Sequence, residues 1–138
     1  MTTLTKRYRF CASHRLCSPR LSEEQNRKVF GKCANPHGHG HNYTLEVSVQ
    51  GAPDPRTGMT MPRTDLDRWV ESAVLKRVDH RHLNSELPEF EELVPTSENV
   101  LVVVEGWLRA AWPAHFPRQT LRLAGLRLEE TPRNSFRY

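Results

Sequence analysis

The amino-acid sequence predicts one α+β domain, spanning residues 1–138, in which an antiparallel sheet is covered by two helices. Two segments with alternating apolar and polar residues stand near the start of the chain, and two more stand near its end. Two segments with apolar residues at helical spacing lie between these pairs. Period-two alternation is typical of half-buried strands, whereas apolar residues three and four apart are typical of helices. The order is therefore ββααββ, that of an antiparallel α+β fold.

The first predicted strand covers residues 6–16. Its even-numbered positions from Tyr8 to His14 form one side, and the residues between them, mostly polar, form the other. The segment that follows, residues 18–35, is polar and contains Pro19 and Gly31. We expect this segment to be a connection that holds a short helix near residues 22–28, because proline and glycine interrupt regular structure.

The second predicted strand begins at His39 and runs to residue 50. Its odd-numbered positions are apolar from Tyr43 onward and alternate with polar residues. Residues 51–55, which are rich in proline and glycine, end the strand with turn chemistry. Residues 57–62 predict a turn and then a brief strand.

Two helices are predicted in the middle of the chain. The first carries apolar residues at helical spacing from Leu66 to Val78, and Thr64 with Asp67 makes a capping pair at its start. The second runs from about residue 98 to residue 112, with Thr96 or Ser97 as its cap and Pro113 as its end.

The last predicted strand covers residues 121–130, followed by a short edge strand at residues 135–138. The alternation changes phase near Ala124 and Gly125, which indicates a β-bulge. An antiparallel sheet with helices on one face leaves two edges open. Open edges favour pairing with another chain, so we expect an oligomer.

The composition excludes several classes of protein. The net charge is +4, but the basic residues are interleaved with acidic ones and form no basic stripe with stacking aromatics, so a nucleic-acid partner is not expected. No segment approaches transmembrane length, and the first residues lack the apolar stretch of a signal peptide, so no membrane partner is expected. Cys11, Cys17 and Cys33 are an odd count without framework spacing, which favours reduced thiols in the cytoplasm.

Three histidines predict a metal site. His39 and His41 are two residues apart at the start of a strand, so both lie on its apolar face. His14 lies on the apolar side of the first strand. If the two strands are antiparallel neighbours, the three imidazoles converge and leave a fourth position open, which is the arrangement of catalytic zinc. Taken alone, a strand histidine such as His14 is more often a hydrogen-bonded structural residue. The parity of His37 agrees with that of His39, but the neighbouring proline and glycine make a regular strand there doubtful.

Cys33 precedes this cluster in a loop-like segment. Buried cysteines commonly act as small apolar residues. The surrounding sequence, with Gly31 and Lys32 before it and Asn35 and Pro36 after it, is that of a loop rather than a core strand. A nearby cation or metal would lower the pKa of the thiol and yield a thiolate able to act as base or nucleophile. We therefore favour a functional role.

These motifs resemble the 6-pyruvoyltetrahydropterin synthase family, and the likeness covers nearly the whole chain in the right order. The matching segments are residues 10–16 (FCASHRL), 30–33 (FGKC), 38–43 (GHGHNY), 57–59 (TGM), 65–66 (DL), 79–80 (DH), 96–99 (TSEN) and 130–131 (ET). The resemblance implies a tunnelling fold, in which trimers close their sheets into a barrel. Two trimers would stack into a homohexamer with active sites between subunits.

The resemblance also implies a role for each candidate residue. Zn²⁺ would be held by His14, His39 and His41. Cys33 would be the general base, with Asp79 and His80 as its proton-relay partners. The pterin ring would be anchored by Glu130, with Thr96, Ser97 and Glu98 nearby.

The residues around each candidate support these roles unequally. Glu130 shares the parity of the apolar residues before it, and a buried carboxylate there could bind two N–H groups at once, although a strand-end acid can also reach solvent. Asp79 and His80 stand at the end of the first predicted helix. A histidine that is only solvated at a helix C-terminus explains this position as well as a catalytic role does. The segment 96–98 is adequately explained as a helix cap.

The implied reaction converts 7,8-dihydroneopterin triphosphate to 6-pyruvoyltetrahydropterin with loss of triphosphate. Relatives that make 6-carboxytetrahydropterin, in the queuosine pathway, share fold, zinc and substrate. Their Cys-x-x-x-His-Gly-His pattern can be read from Cys33 to His39, so both registers are satisfied. His37 stands where the pyruvoyl type usually has Asn, and Pro132 where an Asp is common. A further alternative is a zinc- and pterin-binding oligomer without turnover.

Overall fold

The computed structural model describes residues 1–117 and 120–138. Their fold is a single five-stranded sheet with helices packed against one face, in the strand order β3-β1-β2-β4-β5. The apolar core lies between the helices and that face. The α+β class predicted from the sequence is confirmed. No helix among the described residues has the length and apolar character needed to span a membrane.

The two long strands β1 (Thr2–His14) and β2 (His39–Gly51) pair in antiparallel fashion over their whole length. Even-numbered residues of β1 and odd-numbered residues of β2 point to the core, so the predicted alternation is confirmed. β1 begins earlier than predicted and ends at His14 rather than residue 16. It ends there because the Asn84 side chain takes over the hydrogen bonds of Arg15, accepting from its N–H at 2.7 Å and donating to its carbonyl at 2.8 Å.

Helix α1 (Glu23–Phe30) forms in the connection, as predicted. Ser22 caps it: its hydroxyl accepts from the Gln25 N–H, and the Gln25 side chain accepts from the Ser22 N–H. Such a reciprocal pair satisfies two backbone donors that a helix start leaves free. A 3₁₀ turn (Gly31–Ala34) follows directly and carries Cys33.

Helix α2 (Arg63–Val70) runs on through a π-helical segment (Glu71–Leu75) into α3 (Lys76–Val78). The predicted capping pair of Thr64 and Asp67 is wrong, since the helix starts at Arg63 and both residues lie inside it. The Asp67 carboxylate instead accepts hydrogen bonds from Lys6 and Tyr8 of β1, which ties the helix to the sheet. The brief strand predicted within residues 57–62 is also absent from the described structure, where this segment forms a turn and bends around Asp54.

A two-residue strand β3 (Arg81–His82) pairs in parallel with Ala12 and Ser13 of β1. The sequence did not predict this strand because two residues are too few to show alternation. The short helix α4 (Leu83–Glu86) and a 3₁₀ turn (Pro88–Phe90) lead from it to the last helix.

Helix α5 (Ser97–His115) starts after Thr96, whose hydroxyl accepts from the Asn99 N–H, so the predicted cap is confirmed. The prediction that Pro113 ends the helix is wrong, because the helix continues to His115. Proline removes one backbone donor from a helix interior. This loss is offset where Trp112 and Phe116 pack against the buried Trp69 at ring-centroid distances of 5.0 and 5.4 Å.

The sheet is completed by β4 (Arg122–Thr131), which pairs with β2, and β5 (Asn134–Arg137), which pairs with β4. The register shifts where Ser48 faces Gly125 and Val49 faces Leu123, so the predicted bulge at Ala124 is confirmed. Beyond its two-residue contact with β3, the outer edge of β1 has no strand partner among the described residues.

Candidate metal centre and active site

Three histidine side chains converge on the core face where β1 and β2 meet. His14 lies directly opposite His39 in the ladder, and His41 is two residues further along β2. The ring centroid of His14 is 5.0 Å from those of both His39 and His41, which are 4.7 Å from each other. The Nε2 atoms of His39 and His41 are 2.9 Å apart, a spacing that a shared proton or a shared metal ion would bridge. The structure thus brings together the three predicted ligands.

His14 is fully buried, and its tautomer follows from its neighbours. Its Nδ1 atom lies 3.0 Å from the Pro95 carbonyl oxygen, which can only accept, so Nδ1 carries the proton. The Nε2 atom then presents its lone pair toward the other histidines, and it has no hydrogen-bond partner among the described residues. Burial lowers the pKa of His14 to about 4, which keeps the ring neutral near pH 7. A neutral imidazole whose second nitrogen is held by a carbonyl is a typical metal ligand.

Two overlapping groups of side chains could hold a metal ion. The first consists of His14, Cys33 and His39, and the second of His14, His41 and Glu130. Within each group the potential ligand atoms lie within 4.8 Å of one another. Imidazole nitrogen, thiolate sulfur and carboxylate oxygen are the donors that zinc accepts in proteins. The orphaned Nε2 of His14, buried at the centre of both groups, fits a metal better than it fits a closed hydrogen-bond network.

Cys33 lies at the edge of this cluster on its 3₁₀ turn. The turn is anchored to the end of β1 by a hydrogen bond of 2.7 Å from the Leu16 N–H to the Cys33 carbonyl. The Cys33 Sγ atom is 3.5 Å from His39 Nε2. Burial, and then the negative charge of Glu130, raises the pKa of the thiol. The protein groups alone therefore favour the thiol, and formation of the thiolate requires a positive charge or a proton acceptor that faces it.

Glu130 points into the same cluster from β4, and its side chain is only 12% exposed. Its Oε1 atom is 3.0 Å from His41 Nε2 and 3.9 Å from His14 Nε2. Its Oε2 atom accepts a 2.5 Å hydrogen bond from the hydroxyl of Ser97, a buried residue at the start of α5. Thr96 caps that helix, whereas Glu98 is exposed on its first turn. The structure thus brings Ser97 to Glu130 and leaves Glu98 outside their contact.

Asp79 and His80 lie elsewhere, on the opposite face of the sheet. They follow α3 and dock on the edge of β1: Asp79 Oδ1 accepts from the Cys11 N–H at 2.9 Å, and the His80 N–H donates to the Cys11 carbonyl at 2.6 Å. His80 Nδ1 is 3.0 Å from Asp79 Oδ1, and the His80 side chain is 81% exposed. Hydrogen bonding from Cys11 and His80 lowers the pKa of Asp79, so the carboxylate is available to pair with the imidazole.

The backbone at His80 is strained and aims the ring outward. His80 has φ of 58°, and it is the one non-glycine residue with positive φ among the described residues. Its side chain lines an outer cleft of about 1120 Å³ together with Asp79, Arg9 and Thr44. No hydrogen bond or ion pair among residues 1–117 and 120–138 joins Asp79 or His80 to Cys33. The predicted relay partners are therefore adjacent to each other and separated from the predicted base within one chain.

Sequence reasoning missed two groups that shape the cluster. The Pro95 carbonyl sets the tautomer of His14, and the Tyr43 hydroxyl lies 3.3 Å from the same Nδ1 atom. No sequence signal could identify the carbonyl, because it is 81 residues away from its partner. His37 is exposed on the turn before β2, outside both groups.

Comparisons with known proteins agree on one protein family. A family described as 6-pyruvoyl tetrahydropterin synthase matches residues 3–138. A Poecilia reticulata protein named 6-pyruvoyl tetrahydrobiopterin synthase is 43% identical over 131 residues, covering 95% of this chain and 85% of that protein. The human protein of the same name is 46% identical over 110 residues, covering 80% and 76%. The structure of Caenorhabditis elegans 6-pyruvoyl tetrahydropterin synthase matches with a TM-score of 0.87 at 38% identity, covering 99% of this chain and 94% of that one.

Proposed function

The chain belongs to the 6-pyruvoyl tetrahydropterin synthase family, and from this premise we propose that it is a lyase of tetrahydrobiopterin biosynthesis. Its substrate would be 7,8-dihydroneopterin triphosphate and its product 6-pyruvoyltetrahydropterin, with triphosphate released. One observation carries this proposal: a buried carboxylate, three imidazoles and a thiol meet on one face of the sheet. A single domain, residues 1–138, would supply them all.

We infer that the histidine cluster holds Zn²⁺ through His14, His39 and His41. The inference is supported by the neutral state of His14, by its unpartnered Nε2 and by the close approach of the other two Nε2 atoms. When bound, zinc would supply Lewis acidity toward the hydroxyl groups of the substrate side chain. The exposed position of His37 favours the register in which His39 and His41 form the pair, which is that of the pyruvoyl type.

Pterin recognition would fall to the region around Glu130. Each oxygen of the Glu130 carboxylate has a second lone pair beyond its contact with Ser97 or His41, so the group can still accept two parallel N–H bonds from an amidine-like ring edge. Ser97 fixes the orientation of this carboxylate through Oε2, and Thr96 fixes the helix start that carries Ser97. Glu98 is exposed on the same first turn of α5, and we propose that it contacts the pterin ring from the solvent side of the site.

Proton transfer would begin at Cys33, which we propose takes a carbon-bound proton from the substrate. Since its thiol form is favoured by burial and by Glu130, it must first lose its own proton. His80 Nδ1 lies 3.0 Å from Asp79 Oδ1, and a neutral imidazole paired with a carboxylate is suited to accept and return that proton. They lie on the other face of the sheet, so they would have to come from a neighbouring subunit.

We therefore propose a homohexamer, a dimer of trimers, in which each active site combines residues of different subunits. The open outer edge of β1 and the edge strand β5 support this assembly, because unpaired strand edges favour pairing between chains. His80 supports it too. Its positive φ is energetically unfavourable for a residue with a side chain, and such backbone strain is concentrated at functional sites, so an exposed His80 is expected to act on a neighbouring subunit. The free state of all three described cysteines fits a cytoplasmic location.

The proposed function is tested by supplying dihydroneopterin triphosphate to the zinc-loaded protein and identifying the product by mass spectrometry. We expect 6-pyruvoyltetrahydropterin and inorganic triphosphate. A 6-carboxytetrahydropterin product would contradict the pyruvoyl assignment while leaving the site intact. Unreacted substrate that stays bound to the protein would show a pterin-binding oligomer without turnover.

A further inference from the structure

A second cleft lies behind the turn that carries Cys33. It has a volume of about 720 Å³ and is bounded by the segment after β1, by α1 and by the 3₁₀ turn (Gly31–Ala34). Three basic side chains line it, those of Arg15, Arg27 and Lys32. A cleft of this size suits a small ligand rather than a few waters.

The charge in this cleft is unbalanced. Glu23 is the one acidic residue among its lining side chains, and it pairs with Arg27 at 3.1 Å. That pair is weak, because the two side chains are 79% and 69% exposed and solvent screens them. Neither Arg15 nor Lys32 forms an ion pair within residues 1–117 and 120–138. The cleft therefore offers at least two free positive charges to an anion.

The walls of the cleft are held in place by partly buried hydrogen bonds. Asn26 is 4% exposed; its side-chain oxygen accepts from the Ser18 N–H, and its amide donates to the Ser18 and Leu21 carbonyls. The Arg15 Nε atom donates to the Ala34 carbonyl at 3.1 Å, which leaves its terminal nitrogens free to bind. A guanidinium anchored in this way matches the paired oxygens of a phosphate.

The cleft and the candidate active site lie on either side of the 3₁₀ turn (Gly31–Ala34) that carries Cys33. The Cys33 side chain faces His39, whereas its neighbours Lys32 and Ala34 face the cleft. A substrate whose side chain lies at the histidines would reach the cleft by extending past this one residue.

We propose that this cleft binds the triphosphate group of the substrate, with Arg15, Arg27 and Lys32 as its ligands. The proposal rests on the proposed function, which requires that a strongly anionic tail be held close to Cys33 and then released. Inorganic triphosphate, the leaving group of that reaction, would occupy the same place.

The direct test is calorimetric titration of the whole protein with inorganic tripolyphosphate in the absence of pterin. We expect the wild type to bind it, and both Lys32→Met and Arg27→Gln to weaken binding about tenfold each. The matched control is Lys28→Met, which removes the same charge from an exposed position of α1 outside the cleft. Its affinity should stay within about twofold of the wild type. Equal weakening by Lys28→Met, or no binding by the wild type, would overturn the proposal.

Steady-state kinetics separate this proposal from the proposed function. With dihydroneopterin triphosphate, Lys32→Met should raise KM about tenfold, whereas binding of dihydroneopterin without phosphates should be unchanged. If product forms but KM is unchanged in the cleft variants, the cleft assignment fails and the function stands. If no product forms but tripolyphosphate binds with the expected pattern, the function fails and the polyphosphate site stands.

Discussion

The two faces of the sheet at the end of β1 carry the two halves of the proposed active site. The core face carries the candidate metal and pterin ligands, the outer face carries the candidate proton-relay residues, and the two groups are held in place differently. On the core face, His14 is fully buried and is held by a backbone carbonyl, and Glu130 is held by a buried serine. On the outer face, His80 is almost wholly exposed and is fixed only by its strained backbone and by Asp79. The first half is complete within a single chain. We propose that the second half acts only when another chain covers it.

The difference follows from the period of the strand. Side chains at adjacent positions of β1 point to opposite faces, and that of Arg9 points away from the core. Asp79 and His80 line the same outer cleft as Arg9, so they lie on the face that His14 avoids. Binding of the metal and the pterin should therefore depend on one chain, and proton relay should depend on the assembly. Substitutions around the histidine cluster should therefore separate the base, the metal and the pterin contacts from one another, and mixing of variants should test the dependence on assembly.

The largest effect is expected from Cys33→Ala. Removing the proposed base should lower kcat by a factor of about 10²–10⁴, since that is the usual contribution of a positioned acid or base. The metal content should be unchanged, because three histidines remain. Turnover is measured by product formation and metal by elemental analysis of the same sample. Full activity of Cys33→Ala would show that Cys33 is not the base.

Replacement of a proposed zinc ligand should reduce the affinity for zinc rather than the rate of proton transfer alone. His39→Ala is expected to weaken zinc binding by a factor of about 10 or more, because it removes one of three imidazoles. The control is His37→Ala, an exposed histidine of the same motif, which should keep the wild-type zinc stoichiometry. Equal loss of zinc in both variants would mean that the register of the site is wrong.

Glu130→Gln tests the recognition of the pterin ring. The substitution keeps the size of the side chain and removes the charge that would accept two N–H bonds. Loss of charge-assisted hydrogen bonds should raise KM about tenfold to a hundredfold, with kcat affected less. An unchanged KM, measured with the zinc-loaded protein, would remove Glu130 from the binding site.

A smaller effect is expected from Ser97→Ala, which leaves the charge of Glu130 but frees its orientation. The lost hydrogen bond is of the neutral-to-charged kind and is replaced in part by water, so we expect KM to rise severalfold. Ser85→Ala, at an exposed position of α4, is the matched control and should behave as the wild type. If both variants behave alike, Ser97 does not orient the carboxylate.

Much of this architecture could be predicted from the sequence because it depends on local periodicity. Strand alternation placed His14, His39, His41 and Glu130 on the apolar face, and the structure has them there. The predicted end of α5 at Pro113 was wrong because packing of distant aromatic rings outweighs one lost hydrogen bond. The capping pair at Thr64 was wrong because Asp67 has a partner on another element.

The separation of Cys33 from Asp79 and His80 could not be predicted in this way. Spacing along the chain does not encode on which face of a sheet a loop will dock. The parallel strand β3, which fixes the path of the chain just after His80, is too short to leave a pattern. The tautomer of His14 depends on a carbonyl contributed by a remote loop. Such features depend on tertiary contacts, which a single sequence does not display.

The central claim, that one active site is shared between subunits, is tested most directly by complementation. Cys33→Ala and His80→Ala should each be inactive alone. When the two are mixed and reassembled, some sites will combine an intact Cys33 of one subunit with an intact His80 of another. We predict recovery of roughly a quarter of the wild-type activity, the share of sites that combine an intact Cys33 from one subunit with an intact His80 from another. Hybrid oligomers that form, as native mass spectrometry would show, but stay inactive would contradict the account.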